Sequence, residues 1–307
     1  MKSVIVSNVA KTFKAEKSTV TALHDVSFEA EQGELFGLIG PDGAGKTTLF
    51  RILTTLMIAD KGPASVDGFD VVKDFKEIRK RVGYMPGKFS LYQDLTVSEN
   101  LSFFATLFNT SIEENYELIK SIYSQIEKFK DRKAGALSGG MKQKLALSCA
   151  LIHRPSVLFL DEPTTGVDAV SRKEFWELLR ELQKQNITIV VSTPYMDEAS
   201  LCDRVALIQE GRIMKIDSPS NITKHFGKPL WAFRSDEMFR LMLDITSMTE
   251  VYSCYPFGSE HHVVFHDPHQ DVEIIRMKLI DKGQTNVNVH KIEPTIEDCF
   301  MDLMRSK

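Results

Sequence analysis

The sequence lacks the basic excess that proteins carry when they bind nucleic acid mainly through its phosphates. Its 307 residues include 38 Lys and Arg against 42 Asp and Glu, which gives a formal net charge of -4. Because phosphate backbones are bound by clustered cations, this balance argues against nucleic acid as a partner. The hydrophobic fraction of 43% and the charged fraction of 26% are ordinary for a globular chain, and the length allows two domains.

Long apolar runs are also missing. Neither the start, MKSVIVSNVAKTFK, nor any later stretch approaches the roughly 18 apolar residues that a bilayer-spanning helix requires. We therefore expect a chain that stays in the cytosol and has no membrane anchor of its own.

Cysteine is scarce. The four thiols lie far apart, without a CxxC pair or histidines at zinc-site spacing: Cys149, Cys202, Cys254 and Cys299. His261 and His262 are adjacent in a strand-like stretch and point to opposite faces, which argues against a shared metal site. We expect reduced core thiols.

Short apolar runs alternate with longer segments of helical periodicity. The runs 34–40, 157–160 and 187–192 are bounded by glycine or acidic turns, which is typical of an α/β fold. Residues 3–9 and 26–30 instead predict strands with no helix between them. A small antiparallel layer should therefore precede the main sheet.

The α/β pattern ends in the polar stretch 217–228, which is rich in turn residues. We predict one domain over residues 1–225 and a small α+β accessory domain over 226–307. In the second domain, strands are predicted at 231–233, 262–265 and 287–292, and helices at 237–244 and 271–281.

The sharpest signal is a match to G-x-x-x-x-G-K-[ST] between an apolar strand and a helical stretch. It comprises Gly40, Pro41, Asp42, Gly43, Ala44, Gly45, Lys46, Thr47 and Thr48. Its glycines let backbone amides curl around phosphate oxygens, and the following helix N-terminus favours negative charge. Lys46 should reach the β- and γ-phosphates of a nucleotide, Thr47 should bind Mg²⁺, and Thr48 should meet a phosphate.

Two carboxylates follow the buried run Val157-Leu-Phe-Leu. Parallel strands deliver such acids to the ligand end of a sheet. We expect Asp161 to hold Mg²⁺ through water and Glu162 to orient or polarise the water that attacks the γ-phosphate.

A second glycine-rich segment, Leu137-Ser-Gly-Gly-Met-Lys-Gln, opens a helix. Ser138 can cap this helix, and Gly139 and Gly140 leave backbone amides open to an anion. One chain cannot easily place both glycine-rich helix ends on one nucleotide. A head-to-tail dimer can, with residues 138–140 of one subunit closing over the γ-phosphate held by the other.

These motifs occur in the order and spacing of an ABC cassette, and residues 1 to about 225 resemble an ABC ATPase throughout. The resemblance implies a phosphate-loop α/β core with an antiparallel subdomain and a helical insert around 96–130. It also implies Mg·ATP as the ligand, Phe13 as the aromatic that stacks on adenine, and Asp168 in a loop that signals across the dimer. The alternative for Phe13 is a core or edge aromatic.

The resemblance further implies two partners: a second cassette, identical or different, and polytopic permease subunits. They would hold the chain on the cytoplasmic face of the inner membrane. The docking surface should lie near residues 83–92 and the helix at 96–104. The tail segment Glu293-Pro-Thr-Ile-Glu-Asp-Cys-Phe resembles the PTxEDxF end of bacterial drug-efflux and related export ATPases, which implies export. From its residues alone it predicts a capped amphipathic helix, with Thr295 and Asp298 at capping-box spacing.

The sequence departs from the ABC pattern at two positions. Gly87 stands where the cassette normally has a glutamine that contacts Mg²⁺ and water, and Pro194 stands where a histidine normally contacts the γ-phosphate. We therefore expect slow hydrolysis at this chain's own site; Lys88 is the nearest candidate substitute. Two alternatives stay open: a soluble ABC ATPase acting on ribosomes or DNA, and a weakly hydrolysing scaffold half of a heterodimer.

Overall fold

The computed structural model describes residues 1–15 and 18–305. Within them the chain divides into two compact units between Pro219 and Ser220. The predicted boundary at residue 225 lies just after a short helix, 219–224, that crosses this division. The division into a domain over 1–225 and an accessory domain over 226–307 stays a prediction.

The first unit contains two sheets. In chain order the strands are β1 Lys2–Ala15, β2 Ser18–Glu31, β3 Leu35–Ile39, β4 Ala64–Val66, β5 Phe69–Asp70, β6 Val82–Met85, β7 Val157–Asp161, β8 Thr188–Thr193, β9 Arg204–Gln209 and β10 Arg212–Asp217. The helices are α1 Lys46–Leu53, α2 Phe75–Arg81, α3 Val97–Leu107, α4 Ile112–Glu127, α5 Gly139–Leu151 and α6 Ala169–Lys184, with 3₁₀ turns at Ala134–Ala136 and Met196–Leu201.

The antiparallel layer has the strand order β2-β1-β4-β5. Its two long strands pair from Lys2 with Glu31 to Ala15 with Ser18, so they extend well beyond the predicted 3–9 and 26–30. The apolar side chains that these strands bury, including Val4, Val6 and Phe28, join the main hydrophobic core. The predicted antiparallel layer is confirmed.

The main sheet has the order β10-β9-β3-β8-β7-β6. All neighbouring pairs are parallel except β10 with β9. Every residue of β3, β7 and β8 is buried, which explains their continuous apolar runs. The predicted α/β phosphate-loop core is therefore confirmed.

The helical insert begins with two capping boxes. Thr96 and Glu99 exchange bonds at the start of α3, and Ser111 and Glu114 do so at the start of α4. Helices α3 and α4 lie within the predicted insert at 96–130. No helix in the described parts of the chain combines the length and hydropathy needed to cross a bilayer.

The second unit is a four-stranded antiparallel sheet with helices, as predicted. Its elements are α7 Pro219–Lys224, β11 Leu230–Arg234, α8 Met238–Thr246, β12 Val251–Phe257, β13 Glu260–Phe265, α9 Val272–Asp281, β14 Asn288–Ile292 and α10 Ile296–Arg305, and the strand order is β12-β13-β11-β14. Strand β12 was not predicted. It contains Pro256, which is compatible with its position at the edge of the sheet.

The predicted cap of the tail helix is present. Asp298 accepts hydrogen bonds from the backbone N (2.8 Å) and the hydroxyl (2.7 Å) of Thr295, and its own N–H donates to Thr295 Oγ1 (3.3 Å). His262 Nδ1 lies 2.7 Å from the other carboxylate oxygen of Asp298. The adjacent His261 is bonded elsewhere, to the carbonyl of Met238 at 2.7 Å. The histidines have separate partners, as their opposite orientation predicted.

Candidate active site

The strand order brings the predicted motifs to one edge of the main sheet. Strands β3, β8, β7 and β6 are consecutive and parallel, so their carboxyl ends meet at the same edge. The glycine-rich loop (residues 40–48) follows β3, and Pro194 follows β8. Asp161 ends β7, Glu162 comes directly after it, and Gly87 follows β6.

At Gly40 and Gly45 the glycine-rich loop lies so close to neighbouring backbone that a side chain is excluded. A Cβ on Gly40 would lie 2.1 Å from the carbonyl oxygen of Ile208, and one on Gly45 would lie 2.4 Å from that of Ala22. Gly45 also has a φ of 100°, in the left-handed region that favours glycine. These glycines are therefore required by the backbone path itself.

Lys46 is oriented inside this loop. Its Nζ donates to the carbonyls of Gly40 (2.8 Å) and Pro41 (3.0 Å) and lies 3.1 Å from Oε1 of Glu162. The Lys46 side chain is only 2% exposed. The loop thus fixes a cation next to the predicted catalytic carboxylate, where a polyphosphate would find a charged partner.

The other residues of the glycine-rich loop lie in a closed turn and in the first turn of α1. Ala44 is buried, and its N–H donates to the carbonyl of Pro41 at 3.2 Å, which closes the turn. Thr47 and Thr48 lie in the first turn of α1 with half-buried side chains, and Asp42 and Gly43 are exposed.

The turn that carries the two carboxylates is held by a residue that sequence reasoning missed. The hydroxyl of Ser192 donates to Asp161 Oδ1 (2.7 Å) and accepts from the N–H of Glu162 (3.1 Å). The Ser192 carbonyl accepts from the same N–H at 3.0 Å. Glu162 has a φ of 50°, a left-handed conformation that is uncommon for a residue with a side chain.

Tyr84 on β6 is a second residue that the motifs did not indicate. Burial, together with the nearby carboxylate of Asp161, raises the pKa of its phenol to about 12, against a smaller opposing effect of Arg51. The phenol therefore stays protonated at neutral pH. A protonated phenol cannot act as a base.

The two departures from the ABC pattern lie at the same edge. A Cβ on Gly87 would be 3.0 Å from the carbonyl oxygen of Asp161 and 3.8 Å from Cβ of Glu162. Gly87 and Glu162 also line one cavity of about 170 Å³, together with Gly139, Gln143 and Thr165. A side chain at position 87 would thus start directly beside the carboxylate turn. Proline at 194 places no hydrogen-bond donor after β8.

The signature segment (residues 137–143) and the loop ending at Asp168 lie side by side. Ser138 caps α5 by accepting from the N–H of Met141 at 3.4 Å. A Cβ on Gly140 would lie 2.7 Å from Oγ of Ser171, and one on Gly139 would lie 3.5 Å from the Gly166 carbonyl. These glycines leave room for the neighbouring loop.

Asp168 begins α6 as its N-cap. It accepts from the N–H groups of Val170 (3.1 Å) and Ser171 (3.0 Å) and from the Ser171 hydroxyl (2.8 Å). The bonds from Ser171, led by its backbone N–H, lower the pKa of Asp168. The carboxylate is therefore ionised at neutral pH. The cap was not predicted, and it explains why an aspartate stands at the start of α6; the role at a dimer interface stays a prediction.

Phe13 is not a core residue. It lies on β1 opposite Val20, 40% of it is exposed, and Lys11 Nζ lies 5.8 Å from its ring centroid. The prediction of a core aromatic is therefore wrong, whereas that of an edge aromatic stays open beside the stacking role. The hairpin that carries Phe13 passes beside the glycine-rich loop, because Ala22 on β2 abuts Gly45.

No group of three or more His, Cys, Asp or Glu side chains is arranged as a metal cluster within the described residues. All four cysteines are free thiols; Cys254 is half-buried and the other three are buried. Burial raises the pKa of Cys254 and Cys299 to about 12, so these thiols are protonated at neutral pH.

Comparison with known proteins agrees with this geometry. The ABC transporter family model matches residues 23–165. The probable multidrug ABC transporter ATP-binding protein YbhF of Escherichia coli is 35% identical over 305 residues, which cover 98% of this chain and 52% of YbhF. The chain thus spans about half the length of that relative.

Two other relatives are matched over most of their length. The Nod factor export ATP-binding protein I of Burkholderia lata is 36% identical over 96% of this chain and 95% of its own. The ABC transporter ATP-binding protein NatA of Bacillus subtilis is 36% identical over 69% of this chain and 87% of its own.

Solved structures show the same cassette fold. The dimeric post-hydrolysis state of the cassette MJ0796, bound to ADP and Pi, has a TM-score of 0.64 and 27% identity, covering 70% of this chain and 98% of its own. The cbiO1 protein of Clostridium perfringens, part of the cbiONQ transporter complex, has a TM-score of 0.64 and 27% identity, covering 73% of this chain and 91% of its own.

Proposed function

Because the chain belongs to the family of ABC transporter ATP-binding proteins, we propose that it couples ATP binding and hydrolysis to export across the inner membrane. The observation that carries the proposal is the single sheet edge where Lys46, Asp161 and Glu162 meet. The PTxEDxF-like tail and relatives named for multidrug transport and Nod factor export support export.

The site residues fit Mg·ATP. The glycine-rich loop forms a narrow backbone cradle with an enclosed ammonium, Lys46, suited to a polyphosphate. Thr47 and Asp161 supply the hydroxyl and carboxylate oxygens that Mg²⁺ prefers, and the ion would neutralise phosphate charge. We assign adenine stacking to Phe13, phosphate contacts to residues 40–48, and orientation of the attacking water to Glu162.

We further propose that this site hydrolyses ATP slowly. Gly87 supplies no side chain and Pro194 no donor at the positions where the family places glutamine and histidine. Positioned polar groups of this kind are each worth about 10² to 10³ in rate. The same two substitutions favour a second candidate function, the weakly hydrolysing half of a heterodimer whose signature segment serves the partner's site.

The proposed assembly has two cassettes and polytopic permease subunits. Residues 138–140 of each cassette would close over the nucleotide bound by the other cassette. Asp168 would lie near the interface between the two cassettes. For the permease we propose the surface at 83–92 and 96–104. There Tyr92 and Phe103 are 51% and 41% exposed, and their ring centroids lie 5.0 Å apart. Exposed aromatics of this kind are common anchors in protein interfaces.

Membrane recruitment tests this assembly. We expect the chain to be absent from washed membranes when it is expressed alone. Co-expression with a polytopic membrane protein from a neighbouring gene should retain the chain on the membranes. Replacing Tyr92 and Phe103 by serine should abolish retention but leave ATP affinity unchanged, because both rings lie outside the nucleotide cradle. The matched control replaces the exposed Phe239 of the second unit by serine. Firm retention of the chain without any other subunit would contradict the proposal.

A further inference from the structure

We propose that Ser192 and Glu198 are positioning residues that brace the turn carrying Glu162. Ser192, near the end of β8, and Glu198, in the segment that follows β8, are bonded to the turn that follows β7, through hydrogen bonds on both sides of Glu162. The inference rests on the proposed role of Glu162 as the residue that orients the attacking water, and it adds the groups that fix this residue in place.

The first arm of the brace is Ser192. Its carbonyl and its hydroxyl both accept from the N–H of Glu162, at 3.0 and 3.1 Å, and its hydroxyl donates to Asp161 at 2.7 Å. Ser192 is fully buried, so water does not compete for these bonds. A single side chain thereby fixes the relative positions of both carboxylate residues.

The second arm is Glu198 in the 3₁₀ turn Met196–Leu201. One carboxylate oxygen accepts from the hydroxyl of Thr164 at 2.8 Å, and the other accepts from the hydroxyl of Thr193 at 2.5 Å. Glu198 is 2% exposed, and a carboxylate at such depth is stabilised only when its oxygens are bonded. Thr164 lies two residues after Glu162, so this arm holds the far side of the same turn.

Arg172 on α6 supports the second arm from outside. Its Nε lies 3.9 Å from Glu198 Oε1, its terminal nitrogen lies 3.3 Å from Asp197, and its guanidinium lies 5.1 Å from the ring centroid of Tyr195. The N–H of Tyr195 in turn donates to the Thr193 hydroxyl at 3.1 Å. The segment 193–198, which includes Pro194, is therefore held on two sides.

The backbone of Glu162 is strained, and the hydrogen bonds of Ser192 and Glu198 hold it in that conformation. A left-handed φ costs about 1 kcal/mol or more for a residue with a side chain, and it persists only where surrounding contacts enforce it. Glu162 has a φ of 50°, and its N–H is the group that Ser192 holds. Loss of either arm should let the turn relax and move the Glu162 carboxylate away from Lys46.

The test is single-turnover ATP hydrolysis with the full chain in excess over radiolabelled ATP. We expect Ser192→Ala, Thr164→Val and Glu198→Gln each to lower the hydrolysis rate constant about ten- to a hundredfold. Mg·ATP affinity should be unchanged in Thr164→Val and Glu198→Gln, whose hydrogen bonds do not include the proposed Mg²⁺ ligand Asp161. Thr164→Ser keeps the hydroxyl and should retain the rate. Glu34→Gln neutralises another buried carboxylate of the same unit, at the opposite end of β3, and controls for general destabilisation.

Hydrogen exchange gives a readout that does not depend on turnover. The amide of Glu162 should exchange faster in Ser192→Ala and Glu198→Gln than in the parent and in Glu34→Gln, because the braced turn opens more often. A parent-like exchange rate in both brace variants would overturn the inference. Rapid exchange in Glu34→Gln as well would also overturn it, by showing a general loss of stability.

The hydrolysis assay separates the inference from the proposed function. If Glu162→Gln keeps the parental rate, the assigned role of Glu162 is wrong. If Glu162→Gln loses the rate while Thr164→Val and Glu198→Gln keep it, Glu162 acts as proposed but the brace does not position it. Loss in Thr164→Ser equal to that in Thr164→Val would likewise contradict the hydroxyl contact.

Discussion

The ammonium of Lys46 and the carboxylate of Glu162 lie 3.1 Å apart, so the cation of the glycine-rich loop contacts the residue assigned to orient water. The two come from different strand ends and are 116 residues apart in sequence (162 - 46). Parallel pairing of β3 and β7 with β8 between them brings these strand ends together. The main sheet therefore positions both Lys46, the proposed phosphate ligand, and Glu162, the residue assigned to orient water.

Lys46→Ala should weaken ATP binding by roughly ten- to a hundredfold, because a bound polyphosphate would lose a charged hydrogen-bond donor. Isothermal calorimetry with Mg·ATP measures this directly. Lys120→Ala removes an exposed lysine of the helical insert and should bind like the parent. Equal affinity of Lys46→Ala and the parent would refute the assignment of the loop.

Phe13→Ala should weaken ATP binding about tenfold, the usual effect of losing one base-stacking aromatic. It should leave tripolyphosphate binding unchanged, because the phosphates do not contact the ring. Phe13→Trp should retain ATP affinity. Since Phe13 is 40% exposed, thermal stability should change little in either variant. If ATP and tripolyphosphate lose affinity equally in Phe13→Ala, the ring does not stack on adenine.

The second unit should lose the stabilisation that ionised Asp298 provides when the pH is lowered. Burial alone would raise the pKa of Asp298, but hydrogen bonds from His262 and Thr295 outweigh burial, and the net pKa is lowered. For an acid with a lowered folded-state pKa, the stabilisation is complete above the ordinary value of about 4 and is lost as pH falls through the lower folded value.

Asp298→Asn should therefore destabilise this unit by about 1 to 2 kcal/mol at neutral pH, because the hydrogen bonds from Thr295 and His262 lose their charged acceptor. Thermal unfolding followed by Trp231 fluorescence, in a Trp176→Phe background, measures the difference from the parent. The difference should shrink as pH falls from about 5 to about 3. A difference that stays constant over that range would exclude the carboxylate's ionisation as the cause.

The sequence was sufficient for the elements whose signals are local. The glycine-rich loop, the apolar runs of β3, β7 and β8, and the caps at Ser138 and Thr295 each depend on neighbouring residues, and all are present. Lys46 and Glu162 were also assigned from their motifs. Their contact follows from strand order, which the motif pattern only implied.

Contacts between distant polar side chains could not be predicted. Ser192 and Asp161 are 31 residues apart, and Thr164 and Glu198 are 34 apart, with no periodic pattern linking either pair. The sequence does place Ser192 and Thr193 at the end of a buried strand. Because buried hydroxyls need hydrogen-bond partners, this placement indicates that partners exist but not which residues they are. The lengths of β1 and β2 were underestimated because their outer halves carry exposed polar residues, which give no apolar run.

The central claim, an ATPase with a slow site of its own, is tested most directly by phosphate release from Mg·ATP by the purified chain. We predict slow release by the parent, none by Glu162→Gln with ATP binding retained, and release at least about 10²-fold faster in Gly87→Gln with Pro194→His, where both missing groups return. Gly87→Gln alone and Pro194→His alone should each increase the release rate by less than the two substitutions together. Rapid release by the parent that the paired restoration leaves unchanged would contradict the account, because other residues would then supply the functions assigned to glutamine and histidine.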